Sequence, residues 1–196
     1  YLEPTSSNYG LTGLLEIPTA RFMQEGTLKL GISSSFPNEY TFLVASPFPW
    51  LEAGYRYTEI KNLKYGPYSY SGNQSLKDKG FDIKFKLLNE SFYRPNIAIG
   101  IRDLAGTGLF SSEYIVASKK FRQVDFSLGV GWGMLSGDQN ISNPLIRLSD
   151  TFKARSSEWG KGQGGTFNHR DWFSGNRASL FGGIEYSLRR YGLNLK

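Results

Sequence analysis

The sequence predicts an all-β protein, an antiparallel transmembrane β-barrel of about eight strands plus the start of a ninth. Three observations carry that expectation. In Phe81-Asp-Ile-Lys-Phe-Lys-Leu87, the apolar Phe81, Ile83, Phe85 and Leu87 alternate with Asp82, Lys84 and Lys86. Side chains alternate across a strand, so one face is apolar and the other charged; a helical period would mix lysines into the apolar stripe. A membrane barrel strand needs that contrast, because one face meets lipid and the other a polar lumen. Connection lengths are the second observation. Those after the third, fifth and seventh strands are long or glycine-rich, whereas those after the second, fourth, sixth and eighth are short, as in barrels with short periplasmic turns and long outer loops. The third is composition: 23 Gly, 12 Tyr, 14 Phe and 4 Trp, with no run near the ~20 apolar residues of a membrane helix.

Taken in order, residues 1–26 lack a clear period. Gly10, Gly13 and Pro18 make this an extended segment with tight backbone contacts, facing the lumen or the periplasm. Residues 27–33 set Leu28, Leu30 and Ile32 against Lys29, Gly31 and Ser33. Residues 40–46 place Tyr40, Phe42 and Val44 opposite Thr41, Leu43 and Ala45, a contrast too weak to orient the strand. Pro47 and Pro49 impose a short connection, since neither can donate to a ladder. Residues 50–60 oppose Leu51, Ala53, Tyr55 and Tyr57 to Glu52, Gly54, Arg56 and Thr58. Residues 61–80, rich in Tyr, Ser, Gly, Asn and Lys, read as a long outer loop.

After the Phe81 strand, residues 96–103 place Ile97, Ile99 and Ile101 opposite Ala98, Gly100 and Arg102. Alternation is weak over 113–119. Residues 124–133 oppose Val124, Phe126, Leu128, Val130 and Trp132 to Asp125, Ser127, Gly129, Gly131 and Gly133; the small glycines leave lumen space for an Arg or Lys opposite. Residues 135–177 are polar and aperiodic, too long for an ordinary connection, and read as a second, functional outer loop. Residues 178–188 restore the pattern, with Leu180, Ile184, Tyr186 and Leu188 against Phe181, Gly183, Glu185 and Ser187. Residues 193–196 begin the ninth strand. The chain thus divides into an extended segment, 1–26, and barrel strands, 27–196, with outer loops at 61–80 and 135–177. Tyr40, Trp50, Tyr57, Phe81, Tyr114, Trp132 and Tyr186 fall near strand ends, where rings favour the membrane interface.

The polar faces gather Lys29, Glu52, Arg56, Asp82, Lys84, Lys86, Arg102, Asp125 and Glu185. Mixed signs suit a lumen network, because an unpaired charge at low dielectric is costly. Asp82, Asp125 and Glu52 are the expected partners of Lys84 and Arg102. Ile83, Phe85, Ile97, Ile99, Leu128 and Val130 are the expected lipid-facing set. In the long loops Lys61, Lys64, Arg155, Lys161 and Trp172 are candidate contacts for anionic glycan or lipopolysaccharide phosphate. The net charge of +6 fits such partners; the barrel reading sets nucleic acid aside. Glu52 and Glu185 could be paired as glycosidase carboxylates, but ion pairing in the lumen explains both. His169 is the only histidine and Cys is absent, so no metal or cofactor is expected. Gly129-Val-Gly-Trp-Gly133 sits within a strand with no helix after it and is not a dinucleotide fingerprint.

Tyr9-Gly-Leu-Thr-Gly-Leu-Leu-Glu-Ile-Pro-Thr-Ala-Arg-Phe22 resembles the amino-terminal signature of the YjbH-type family, outer-membrane proteins associated with exopolysaccharide production. Gly26-Thr-Leu-Lys-Leu-Gly-Ile32, Pro47-Phe-Pro-Trp-Leu-Glu-Ala53, Tyr55-Arg-Tyr57 and Ser179-Leu-Phe-Gly-Gly-Ile-Glu-Tyr186 extend the resemblance over most of the chain. It implies an amino-terminal portion of a longer outer-membrane barrel, non-enzymatic, acting in exopolysaccharide export or surface assembly. Its implied partners are outer-membrane lipid and lipopolysaccharide, an anionic exopolysaccharide and other secretion components. A soluble carbohydrate-binding β-sandwich and a glycan-processing enzyme are the alternatives.

Overall fold

The computed structural model describes residues 4–137, 140–155, 169–188 and 192–196. Its strands are β1 (Thr27–Ser35), β2 (Asn38–Phe48), β3 (Leu51–Lys64), β4 (Ser75–Leu88), β5 (Asn96–Leu104), β6 (Ser112–Phe121), β7 (Val124–Gly131), β8 (Ile141–Ser142), β9 (Arg177–Leu188) and β10 (Leu193–Leu195). All pairings are antiparallel, in the order β1-β2-β3-β4-β5-β6-β7-β9-β10, with the short β8 beside β9. The main strands form one continuous sheet, not the two packed sheets of a sandwich. The only α-helix among the described residues is one turn, α1 (Tyr68–Ser71).

The predicted strands and their alternation recur here, but the closed ring does not. Among the described residues β1 pairs only with β2 and β10 only with β9. The two edges nevertheless converge. Lys29 of β1 donates to Ser6 Oγ, and Lys196, just after β10, donates to Ser6 O at 2.7 Å. The sheet curls around residues 4–23 without its edges meeting.

Those residues form a strap along one face of the sheet. It folds back on itself through bridges between Ser6 and Thr12 and between Gly13 and Pro18. Gly10 is required at its first bend: its φ is +103°, and a Cβ there would lie 2.5 Å from the Phe42 ring. Leu11 and Met23 pack against Tyr40, Phe42 and Val44, while Ala20 packs against Ala98, Tyr114 and Val116. This contact orients β2, whose aromatic side chains lie beneath the strap.

Residues 61–80 are not a loop throughout. β3 continues to Lys64 and β4 begins at Ser75, so the connection shortens to residues 65–74 around α1. The period of two continues upstream of Phe81, with Asp78 and Gly80 buried between exposed Lys77 and Lys79. Polar composition does not distinguish a projecting hairpin from a loop. Within 135–177, β8 and single 3₁₀ turns at Pro144–Arg147, Asp150–Lys153 and His169–Asp171 break the expected continuous loop.

The strand-end aromatics divide. Trp50, Phe81 and Tyr186 are exposed, but Tyr40, Tyr114 and Trp132 are buried. Trp132 has the exposed-face parity of Leu128 and Val130, yet its ring packs edge-on against Phe173, 5.2 Å away. The glycines expected to leave room for an Arg or Lys divide: the Arg155 guanidinium lies against Gly133, but Gly129 and Gly131 have no such partner. Phe181 lies over Gly129 and Leu135 over Gly131, because aromatic and aliphatic groups fill that end of the covered face.

Candidate functional site

Polarity is inverted relative to a water-soluble sheet. Leu30, Ile32 and Leu128 are 74%, 79% and 63% exposed on the bare face, while Glu52 and Lys84 are 0% exposed beneath the strap. The strands dictate this locally, since within β3, β4 and β5 the buried Glu52, Arg56, Asp78, Asp82, Lys84 and Arg102 alternate with outward-facing Tyr55, Phe81, Ile83, Ile99 and Ile101. The strap then removes the charged face from solvent. Such burial is tolerable only when each ion is paired and hydrogen-bonded.

Lys84 Nζ lies 2.8 Å from Glu52 Oε2 and also donates to Thr12 O and Arg21 O, at 3.0 and 2.6 Å. Glu52 accepts further from Thr12 Oγ1, Thr12 N and Met23 N. This pair is the direct contact expected between the predicted network's lysine and one of its acids. Arg102 behaves differently: its guanidinium lies 4.3 Å from the Tyr9 ring centroid and donates to Glu16 O. Asp125 pairs with neither predicted partner. Both its oxygens accept from Arg21 of the strap, at 2.7 and 2.8 Å, and Arg21 Nη1 donates to Glu90 at 2.6 Å. Glu185 accepts from Thr5, and the Lys86 ammonium lies 4.8 Å from the Phe22 ring centroid.

A second cluster surrounds Arg56. Its Nε lies 3.3 Å from Asp82 Oδ2, and its Nη1 donates to Thr58. Asp82 Oδ1 accepts from Asp103 N, Asp103 Oδ2 from Phe110 N, and Asp78 from Thr107. Among the described residues, no group of three or more His, Cys, Asp or Glu is arranged to hold a metal ion. Glu52 and Glu185 are engaged by different parts of the strap, as the bonds above specify, with no shared cleft between them. His169 is exposed in its 3₁₀ turn.

The expected apolar set, Ile83, Phe85, Ile97, Ile99, Leu128 and Val130, all lies on the bare face. Of the loop candidates, Lys61 is tied to Glu39 and Lys64 to Asn73, both at the surface. Trp172 is half-buried, and Lys161 lies outside the described residues. Arg155 departs from the expectation of a free loop cation: it donates to both oxygens of buried Glu113, at 2.7 and 3.0 Å, and to Ser111.

Sequence reading missed Arg21, Glu90, Asp78, Asp103 and Glu113. Asp78 was detectable, because it continues the parity of Asp82 and Lys84. Arg21 and Glu90 lie outside regular strands, and Glu113 has bare-face parity yet is buried, held by Arg155 and the Phe173 amide; no period marks any of these three.

These features define a class: an all-β antiparallel protein with an apolar bare face and a charge-paired face filled by its own strap. The family model described as exopolysaccharide biosynthesis protein YbjH matches residues 5–196, so the chain belongs to the YjbH family. It is 42% identical over 194 residues to the uncharacterized lipoprotein YjbH of Escherichia coli (strain K12), a match covering 98% of this chain and 27% of that protein. The chain therefore spans about a quarter of that relative's length. No solved structure matches.

Proposed function

We propose that this chain is a membrane-spanning, non-enzymatic part of an outer-membrane apparatus that exports exopolysaccharide or assembles it at the surface. The observation that carries this reading is the inverted polarity. Leu28, Leu30 and Ile32 on β1, Phe126 and Leu128 on β7, and Leu180 and Ile184 on β9 are all exposed on the bare face. A soluble monomer rarely exposes so continuous an apolar surface, whereas a lipid-facing sheet requires one. The long strands, 8 to 14 residues over β2–β7 and β9, bracket the ~9–11 residues needed to cross hydrocarbon at a tilt. Among the described residues no helix is long and apolar enough to cross, so strands would make the crossing. Membership of a family described by exopolysaccharide biosynthesis supplies the cargo class. Lipid and lipopolysaccharide are the partners of the bare face, and other secretion components complete the apparatus.

The test is to fractionate cells making the whole protein and to run the membrane fraction unheated and boiled. Recovery with the outer membrane and a heat-dependent change in gel mobility are expected. A protein that stays soluble and monodisperse without detergent would overturn the reading.

A further inference from the structure

The strap is held in an unusual way: the sheet reads mostly its main chain. Glu52 accepts from the amides of Thr12 and Met23, at 3.1 and 2.7 Å, and Ser118 Oγ accepts from the amide of Ala20 at 2.8 Å. Lys84 donates to the carbonyls of Thr12 and Arg21, and Arg102 to that of Glu16 at 3.3 Å. Lys196 donates to the carbonyls of Ser6 and Gly13, both at 2.7 Å. Acceptors and donors are thus interspersed along the covered face, and their partners are groups that any polypeptide carries. Arg21, bound to Asp125 and Glu90, is the principal side-chain exception. Beside it, a polar cavity of about 20 Å³ lies between the strap and β7–β9, lined by Thr12, Asp125, Ser127 and Glu185 among others.

We propose that the covered face is a binding track for an extended polysaccharide chain, and that the strap occupies this track in cis. Resting on the exopolysaccharide reading above, this names the surface that meets the polymer and the segment that competes with it. The chemistry is that of hydroxyls. A sugar hydroxyl both donates and accepts, so a chain of them satisfies Glu52 and Ser118 as acceptors and Lys84 and Arg102 as donors. Tyr114, which lies over Gly100, and Phe181 supply apolar faces for sugar rings once Ala20 and Phe22, packed in the same cluster, withdraw. Displacing the strap unpaired would strand Glu52 and Lys84 with fewer partners. Exchange for a polyhydroxylated chain avoids that cost, so strap release and polymer binding are one coupled step.

The chain has no cysteine, so an engineered pair, Ala20→Cys with Ser118→Cys, can lock the strap by oxidation and free it by reduction. The two positions adjoin, the Ala20 amide lying 2.8 Å from Ser118 Oγ. Binding of maltoheptaose, and of an oligouronate of equal length, is measured by titration calorimetry on the whole detergent-solubilised protein, oxidised and reduced. At least tenfold weaker binding of either probe in the oxidised state supports the proposal. Equal affinity in both states overturns it, as does no binding by the unsubstituted protein. If the cysteine pair does not assemble, Arg21→Ala decides: tenfold tighter binding than in the unsubstituted protein supports the track, and unchanged binding overturns it. Heat-dependent mobility is recorded for each variant. A protein that inserts normally but shows no strap-dependent sugar binding sinks this inference alone, whereas failure of the unsubstituted protein to insert sinks the membrane reading.

Discussion

Removing Glu52 and removing Lys84 are not equivalent changes, although the two form one ion pair. Lys84→Met leaves a carboxylate that still accepts from Thr12 N, Thr12 Oγ1 and Met23 N. Glu52→Ala leaves an ammonium with two carbonyls and strips partners from two buried strap amides. Breaking a buried pair by losing one member costs about 3–5 kcal/mol. We expect Glu52→Ala to reach that range and Lys84→Met to cost less, with Glu52→Leu/Lys84→Met below the sum of the singles; urea unfolding in micelles gives the ranking, and a costlier Lys84→Met would refute it. Glu90 is a pH-sensitive fastening. Burial works to raise its pKa, but hydrogen bonds from Arg21 and from the Lys120 amide outweigh it and hold the carboxyl below its ordinary range. The sign follows: the stabilisation is complete above the unfolded carboxylate pKa and is lost as pH falls through the lower, folded value. Protection of the amides of residues 4–23, taken relative to their intrinsic exchange rates at each pH, is therefore expected to decline as pH falls below about 4, where an unfolded Glu titrates, and Glu90→Gln should flatten that dependence.

Neighbouring positions on one strand face opposite environments. Ile99 of β5 is on the bare face, while Gly100 lies under the Tyr114 ring, whose Cζ would be 2.3 Å from an added Cβ. If the bare face meets lipid, Ile99→Arg costs about 2–4 kcal/mol near mid-bilayer. Gly100→Leu is expected to cost about 1–3 kcal/mol by overpacking, whatever the solvent outside. Refolding titrations in lipid and in detergent separate the two, since only the first cost depends on the bilayer. The tryptophans give a second contrast. Trp50 stacks between Phe48 and Phe85 on the bare face, with centroids at 5.3 and 6.2 Å, whereas Trp132 is covered by Phe173. In single-tryptophan variants, brominated lipid should quench Trp50 strongly and Trp132 little; equal quenching would show that one of these sites is misassigned.

At the scale of the whole molecule, the described residues leave two strand edges unpaired, on β1 and β10, that approach each other through Ser6 without bonding. An open edge in hydrocarbon leaves amides and carbonyls without partners, at several kcal/mol each. We therefore expect the β1 amides that point away from β2 to be protected from hydrogen exchange in the assembled protein, paired with strands outside this chain. Exchange there at unfolded rates would mean the edge faces water.

How much of this was legible depends on range. The order of the long strands, and the parity of all but β2 and β6, could be read directly, because alternation is a property of adjacent residues: Phe81 and Asp82 declare opposite faces without reference to anything else. That both faces would be so unlike, and that Lys84 would need an acid, followed from the same local pattern and the cost of a lone buried charge. The strap's position could not be read. Its residues have no period, because the sheet holds it largely by main-chain groups that no side-chain pattern encodes. Arg21 with Asp125, Arg155 with Glu113 and the burial of Trp132 all join residues far apart in the chain, so only the tertiary structure decides them. The sequence by itself determined which face is polar on strands of strong alternation such as β3, β4 and β5; the fold oriented β2 and decided that the polar face would be closed by residues 4–23 of the same chain.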